Sequence, residues 1–242
     1  MKDVYAGNLT SPEFAKAVKE CKAVILPIGS CEQHGHHMPL DTDNLIGSYL
    51  AMETAKRCHC LVMPALNYGQ VWSARKFPGT IALSTHTLIS MIKEIVISLQ
   101  AHHVRNIILL AGHNGNSNAL KEAARQLLDE YQWENVWYIC AEIDSSLMKL
   151  METPIPCGCV HAGEMETSML LAIRPDLVHM ERATAEFPTL PPDAKYRPVS
   201  WEHFIESGSF GDGGKATAEK GKALLESSIQ SAVRLINEII PD

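Results

Sequence analysis

The sequence predicts an α/β fold of three layers, with a mostly parallel sheet covered by helices on both faces. Short apolar runs alternate with helical segments four times along the chain, which is typical of a parallel sheet. Residues 106–111 are apolar on both faces, as a central strand of such a sheet should be. The chain has 242 residues, 46% of them hydrophobic, enough for one large core. We therefore expect a single domain over residues 1–242, with ligands bound at the carboxyl ends of the strands.

Each predicted element has its own local signal. Thr10 and Glu13 are spaced as a capping box and Pro12 suits a first turn, so the first helix should run to about Lys22. The strands are predicted at residues 23–28, 60–65, 106–111 and 136–140. The later helices are predicted at residues 44–57, 85–103, 117–131, 169–173 and 216–239. The apolar stripe of the second of these indicates core packing rather than a cofactor site.

Residues 188–214 do not fit a regular element, because they are rich in proline, glycine and charge. We expect an irregular excursion that either caps the binding pocket or makes subunit contacts. The same two alternatives hold for the loops around Trp72 and Trp201.

Composition narrows the possible partners to small molecules. The formal net charge is −7 and no basic stripe is present, which argues against nucleic acid or an anionic membrane as a partner. The longest apolar run, residues 107–111, is too short to span a bilayer, and the N-terminus lacks the pattern of a secretory signal. The seven cysteines include the close pairs Cys58/Cys60 and Cys157/Cys159, which we interpret as reduced thiols of a cytoplasmic protein.

A cluster of carboxylates and imidazoles follows the first predicted strand. Glu32 and His34 are two residues apart, so in an extended segment they point the same way. Gly35 and Pro39 bend the chain enough to bring Asp43 back toward them. Mixed oxygen and imidazole ligands suit Zn, Mn, Fe or Co better than Ca or Mg. The alternative is a polar loop without a metal, or a set of solvated histidines.

Two later clusters lie at comparable places in the chain. His113 follows the third predicted strand, within the run Gly-His-Asn-Gly-Asn at residues 112–116. His161, Glu164 and Glu166 come just before an apolar helical run, and the backbone N–H groups at that helix start could face an anionic intermediate. Because parallel strands end at the same edge of a sheet, we expect the three clusters to meet there.

Taken together, these motifs resemble the creatininase (creatinine amidohydrolase) family. The matching runs are EQHG at residues 32–35 with Asp43, FPGT at 77–80, GHNGN at 112–116, and HAG at 161–163 with ETS at 166–168. The resemblance implies a creatininase-like fold with two divalent metal ions per chain, and a homo-oligomer, often a hexamer built as a trimer of dimers. Carried onto this chain, the ligands would be Glu32 and His113 on one ion, His34 on the other, and Asp43 bridging both.

Two departures argue against creatinine as the substrate. Family members that open creatinine carry a glutamate ligand two residues after the histidine of the third-strand motif, where this chain has Gly115. The fifth ligand is then expected to be Glu166, with Glu164 as its competitor. Those members also hold the creatinine ring with tryptophans, and the positions near Ile143 and Cys157 are not aromatic here.

The expected function is a metal-dependent hydrolase in which water attacks a cyclic amide or formamide-type C–N bond. Two close divalent ions, Zn first with Mn or Fe as alternatives, would lower the pKa of a shared water toward neutrality. The resemblance keeps a ring-opening hydrolase of a keto-inositol of the 3-dehydro-scyllo-inosose type as an alternative. A non-catalytic binding protein on the same fold is a further alternative.

Proton transfer and substrate contacts are assigned to a second set of residues. His161 is expected to shuttle a proton to the leaving nitrogen or to stabilise the tetrahedral intermediate, unless its hydrogen bonding is purely structural. Glu164 is a possible second proton carrier. The residues expected to contact the substrate are His36, Asn114 and Lys76.

Overall fold

The central sheet is fully parallel and has four strands. The computed structural model describes residues 3–154 and 161–241. Strands β1 (Val24–Ile28), β2 (Leu61–Val62), β3 (Ile107–Ala111) and β4 (Val136–Ile139) lie in the order β2-β1-β3-β4. Every residue of β1 is buried, because both faces of a parallel sheet are covered by helices. The predicted parallel sheet is confirmed.

In the part of the chain that the structure describes, six α-helices form the outer layers. They are α1 (Ser11–Glu20), α2 (Thr42–Cys58), α3 (Thr85–Ala101), α4 (Ser117–Tyr131), α5 (Glu164–Ile173) and α6 (Ala218–Ile239). Helices α1, α3 and α4 share one apolar core with Val24, Leu26 and Ile28 of β1. Helices α2, α5 and α6 share the other core with Ile25. Because alternate residues of β1 enter opposite cores, the three-layer prediction is confirmed.

Among the boundaries that differ from the prediction, three bear on the sheet and on the candidate site. Strand β2 has two residues instead of six, because Pro27 of the neighbouring β1 has no N–H to donate to the carbonyl of Met63 and continue the ladder, although Met63 still donates to the carbonyl of Ile25 at 2.9 Å. Helix α2 begins at Thr42, so Asp43 lies in its first turn rather than in the preceding loop. Helix α5 begins at Glu164, which places polar residues ahead of its apolar run.

The excursion at residues 188–214 is irregular, as predicted. It contains 3₁₀ turns at Pro192–Lys195 and Trp201–His203, and its last strand, β6 (Gly211–Asp212), pairs antiparallel with β5 (Ala185–Glu186). The carbonyl of Gly208 accepts a hydrogen bond from Nε2 of Gln33 at 2.9 Å. The excursion therefore covers the loop that follows β1.

Two further expectations can be compared with the structure. Within residues 3–154 and 161–241, no helix combines the length and the apolar character that crossing a bilayer requires. Cys58 and Cys60 are buried free thiols, whereas Cys157 and Cys159 lie outside the described residues.

Candidate metal centre

The loop after β1 carries its polar residues into the protein interior. Glu32 and His34 are 1% and 0% exposed, and Asp43 in the first turn of α2 is 4% exposed. Asn44 holds the loop against the start of α2, because its side-chain amide donates to the carbonyl of Ser30 at 2.8 Å. Thr80 of the FPGT run supports the loop from outside by accepting the N–H of Gln33 at 3.0 Å.

His113 joins Glu32 and Asp43 in a first group of possible ligands. Its Nδ1 lies 2.9 Å from Oδ2 of Asp43 and 3.1 Å from Oε2 of Glu32, and the three ligand atoms lie within 4.8 Å of one another. Its Nε2 donates to the carbonyl of Gln70 at 3.1 Å, so in the neutral ring Nδ1 has no proton. A lone pair then faces two carboxylate oxygens, an arrangement that needs a cation between them.

A second group lies on the other side of Asp43. Nε2 of His34 is 3.4 Å from Oδ1 of Asp43 and 3.8 Å from Oε2 of Glu166. Nδ1 of His34 donates to the carbonyl of Glu32 at 3.0 Å, which leaves Nε2 as the ligand atom. Asp43 thus presents one oxygen to each group, as a carboxylate that bridges two ions would.

Unpartnered buried atoms support a metal at both positions. Oε2 of Glu32 and Nε2 of His34 are buried without a hydrogen-bond partner. Leaving such a group unsatisfied costs about 1–3 kcal/mol, and more for a charged one. Carboxylate oxygens and imidazole nitrogens are also the ligand types that suit Zn, Mn and Fe. The side chains present therefore fit a two-ion centre.

Neighbouring charges shift the pKa values of the imidazoles that face Asp43. Burial by itself lowers the pKa of His34, but the surrounding carboxylates, Asp43 first, outweigh it and raise the pKa to about 10. Burial also lowers the pKa of His113, and Asp43 and Glu32 raise it to about 9. Burial would raise the pKa of Asp43, yet the two imidazoles hold it well below its usual range. Without a metal, the cluster therefore holds protons where a cation would bind.

Metal binding should release protons and strengthen as the pH rises. A coordinated imidazole must be neutral, whereas the metal-free protein keeps His34 and His113 protonated up to about pH 10 and about pH 9. At about pH 7.5 we expect loading to release about two protons per chain, with affinity rising toward alkaline pH. Calorimetric titration with Zn²⁺ in buffers of different ionisation enthalpy measures this release. A value near zero would contradict the assignment of both imidazoles as ligands.

His161 lies beside the second group. Its Nε2 lies 2.8 Å from the backbone carbonyl of Gln33, to which it can donate, and 3.1 Å from the side-chain Nε2 of the same residue, whereas its Nδ1 has Oε2 of Glu166 at 3.9 Å. His161 also falls within ligand distance of Glu32 and His34 through Nε2, but that nitrogen is already bound to the carbonyl. Burial lowers the pKa of His161 well below its usual value, and His34 adds to the effect. The arrangement suits a neutral ring that accepts or passes a proton.

Glu164, unlike Glu166, turns away from the metal cluster. Its Oε2 accepts from the backbone N–H of Thr153 at 2.8 Å, and its Oε1 accepts from Nζ of Lys220 at 2.6 Å. Burial alone would raise its pKa, but Lys220 and Thr153 lower it below its usual value. Glu164 therefore anchors the segment before residue 155 to α6, and this geometry does not favour the expected role as ligand or proton carrier.

The three residues expected to contact the substrate lie on the surface. His36, Asn114 and Lys76 are all exposed, and none belongs to the groups that could hold a metal. His37 is instead the buried member of its pair, with Nε2 2.8 Å from Oγ1 of Thr167. Substrate contact by the exposed three stays a prediction.

Two contacts of the cluster have no local signal in the sequence. Oγ of Ser30 donates to Oδ2 of Asp43 at 2.6 Å. The ring of Trp201, which lies 40 residues after His161 in the chain, is 4.9 Å from the His161 ring. Both pairs form only when the chain folds, so spacing in the sequence could not reveal them.

Gly115 leaves no room for a side chain at its position. A β-carbon there would lie 2.3 Å from Nε2 of His113 and 2.7 Å from the carbonyl oxygen of Gln70. Both are closer than real β-carbons approach. The ligand that this position supplies in creatinine-opening relatives is thus sterically excluded, and Glu166 is the carboxylate that reaches the second group.

A Gly115→Ala substitution is expected to displace the His113 ring and weaken metal binding. The ring would lose the hydrogen bond to Gln70 that orients Nδ1, and loss of such a partner typically lowers metal affinity by about 10–100-fold. Competition with a fluorescent chelator measures the affinity. Gly214→Ala is the matched control, since its β-carbon meets only Oδ1 of Asp212 at 3.0 Å. Wild-type affinity in the Gly115 variant would contradict the expectation.

Comparison with known proteins identifies the family to which this cluster belongs. A family model described as creatinine amidohydrolase matches residues 7–236. The chain belongs to the creatininase family. The resemblance predicted from its motifs is thereby confirmed.

The relatives of this creatininase-family chain carry several activities. Creatinine amidohydrolase of Pseudomonas putida is 30% identical, covering 99% of this chain and 98% of the relative. Mycofactocin precursor peptide peptidase of Mycobacterium tuberculosis (strain H37Rv) is 30% identical over 97% of this chain and 92% of the relative. The 3-dehydro-scyllo-inosose hydrolase of Thermotoga maritima is 26% identical over 98% and 84%. The chain is a metal-dependent hydrolase of the amidohydrolase type, and these names do not determine its substrate.

Solved creatininase structures share its fold. A single-residue creatininase variant described as a Zn-Zn type superposes with a TM-score of 0.90 at 31% identity, covering 100% of both chains. A structure described as creatininase Mn gives a TM-score of 0.88 at 31% identity, covering 99% of this chain and 100% of the other. The creatininase fold is therefore established, whereas the metal of this chain is open between these forms.

Proposed function

We propose that this creatininase-family protein holds two divalent ions and hydrolyses a C–N bond of a small cyclic amide or formamide other than creatinine. The observation that carries the proposal is the position of Asp43, which turns one oxygen toward Glu32 and His113 and the other toward His34 and Glu166. Zn is the expected metal, with Mn or Fe as alternatives. The solved Zn-Zn and Mn creatininases support Zn and Mn.

The side chains divide the chemistry between binding and proton transfer. When bound, two close divalent ions lower the pKa of a water and polarise the substrate carbonyl. When His161 donates from Nε2 to the carbonyl of Gln33, its Nδ1 is free to take a proton from the water. The protonated ring can then deliver that proton to the departing nitrogen. Ser30 holds Asp43 in the bridging orientation through its hydroxyl.

The substrate class rests on which creatinine features this chain lacks. Gly115 excludes the glutamate ligand of the creatinine-opening branch, and Ile143 stands near a position where those members have an aromatic ring. Cys157, near the other such position, lies outside the described residues. Relatives named for creatinine and for a peptide both act on C–N bonds, which favours an amide substrate.

The keto-inositol alternative has support from one relative and a set of polar side chains. The 3-dehydro-scyllo-inosose hydrolase aligns with 98% of this chain. Exposed Asn114 and Lys76 could contact substrate hydroxyl groups. A binding protein without activity is less well supported, because all five proposed ligands are present in the sequence. A hexamer and a cytoplasmic location stay predictions. Light scattering measures the oligomeric state.

The test combines metal analysis with a substrate screen. Purified protein should contain about two transition-metal equivalents per chain, which chelation removes together with activity. Glu32→Gln and His113→Ala should each lower the metal content, while Glu181→Gln on the surface should not. Matched panels of cyclic amides, formamides and keto-polyols then identify the class. No metal uptake after reconstitution would contradict the proposal, and turnover of keto-polyols alone would favour the alternative.

A further inference from the structure

Trp201 lies against the candidate proton carrier. The centre of its ring is 4.9 Å from that of His161, with 55° between the two planes. His161 is only 5% exposed, whereas Trp201 is half-buried. A partly exposed aromatic residue is thus in contact with the ring that would exchange protons with the substrate.

Hydrogen bonds and ring contacts fix Trp201 from two sides. Its backbone N–H donates to the carbonyl of Ser73 at 2.9 Å, and Oγ of the preceding Ser200 donates to Oε2 of Glu202 in the same turn. Phe210 meets the indole edge-on at 5.0 Å, and its own N–H donates to the carbonyl of His161 at 2.8 Å. The same segment therefore holds both the indole and the His161 backbone.

A preorganised aromatic face favours flat ligands. Offset or edge-on pairs of aromatic rings are stabilised by more than the burial of their surface area alone. A saturated ring of similar size lacks this additional stabilisation. The indole comes from the 3₁₀ turn Trp201–His203, in the excursion that covers the loop after β1. The indole of Trp201 therefore comes from a different part of the chain than the region near Ile143.

We propose that Trp201 is a specificity-determining residue that stacks on a planar, conjugated group next to the scissile C–N bond. This inference rests on the proposed function, because the bond to be cleaved must be held at the metal centre. It selects aromatic or heteroaromatic amides over saturated ones, and it leaves the affinity of the metal-bound part of the substrate unchanged.

Three hydroxamates distinguish the affinity contributed by metal binding from the affinity contributed by a planar group. Acetohydroxamate binds through the metal alone, and benzohydroxamate and cyclohexanecarbohydroxamate add a flat and a puckered ring of similar size. Calorimetry with metal-loaded protein should show benzohydroxamate binding roughly fivefold tighter than the cyclohexane analogue. The ratio should fall to about one in Trp201→Leu and stay near the wild-type value in Trp201→Phe.

Trp133→Leu is the control, because it removes another half-buried indole, stacked on Tyr131 at 4.5 Å. Its benzohydroxamate preference should equal that of the wild type, and acetohydroxamate affinity should be equal in all four proteins. An unchanged preference in Trp201→Leu would overturn the inference. Weaker acetohydroxamate binding in that variant would also overturn it, by showing that the indole supports the metal centre instead. Failure of every hydroxamate to bind wild-type metal-loaded protein would contradict the proposed function itself.

Discussion

An Asp43→Asn variant is expected to lose at least one of its two metal ions and at least about 10³-fold in kcat/KM, because metal-ion catalysis supplies several kcal/mol of transition-state stabilisation. Among the residues that the structure describes, Asp43 is the one side chain that belongs to both groups of possible ligands. The amide nitrogen of asparagine cannot bind a cation, so one of the two positions loses its shared oxygen. That nitrogen also cannot accept the hydrogen bond that Ser30 donates to Oδ2 at 2.6 Å.

Metal content by mass spectrometry, circular dichroism and kcat/KM on the identified substrate test this expectation together. Asp41→Asn is the matched control, since Asp41 lies two residues earlier, is exposed, and belongs to neither ligand group. It should keep its metals and its activity. Two retained equivalents of metal in the Asp43 variant would show that this carboxylate does not bridge the centre.

A His161→Ala variant is expected to keep its metals and to lose about 10²–10⁴-fold in kcat, the usual contribution of a positioned general acid or base. The reason is that Nε2 is bound to the carbonyl of Gln33, so the ring serves the site through Nδ1 rather than as a ligand. The indole of Trp201 packs against the ring, and removing the imidazole leaves a space that free imidazole could enter.

The pH dependence of kcat and rescue by added imidazole distinguish a proton carrier from a structural residue. The variant should lose the limb of the pH profile that reports His161, and added imidazole should restore part of the rate. His179→Ala is the control, since that ring is 53% exposed and lies on the surface. Loss of metal along with activity in the His161 variant would reassign it as a ligand.

The strand ends and most of the metal centre could be predicted from the sequence, because a parallel sheet gathers the carboxyl ends of its strands at one edge. That rule alone predicts that Glu32, His34 and His113 lie at the same edge of the sheet. The choice between Glu164 and Glu166 could not be made in this way. Residues two apart on a helix point to different sides, and what each side faces is set by distant chain, here Lys220 for Glu164.

The sequence indicated that the loop around Trp201 caps the pocket or makes subunit contacts, but it could not predict the contact of Trp201 with His161. Its segment has no periodicity, and its contact with His161 depends on backbone hydrogen bonds such as the one to Ser73. The short β2 followed from Pro27 of the neighbouring strand, and its effect could not be predicted because the pairing of the two strands forms only on folding.

The order of the ligands along the chain sets the order in which the centre can be completed during synthesis. Glu32, Asp43 and His113 all precede α4, whereas Glu166 belongs to α5. A nascent chain leaving the ribosome exposes the whole first group before the carboxylate of the second group has been made. The first group of side chains can therefore be complete before α5 has emerged, whereas the second group is complete only once α5 has docked.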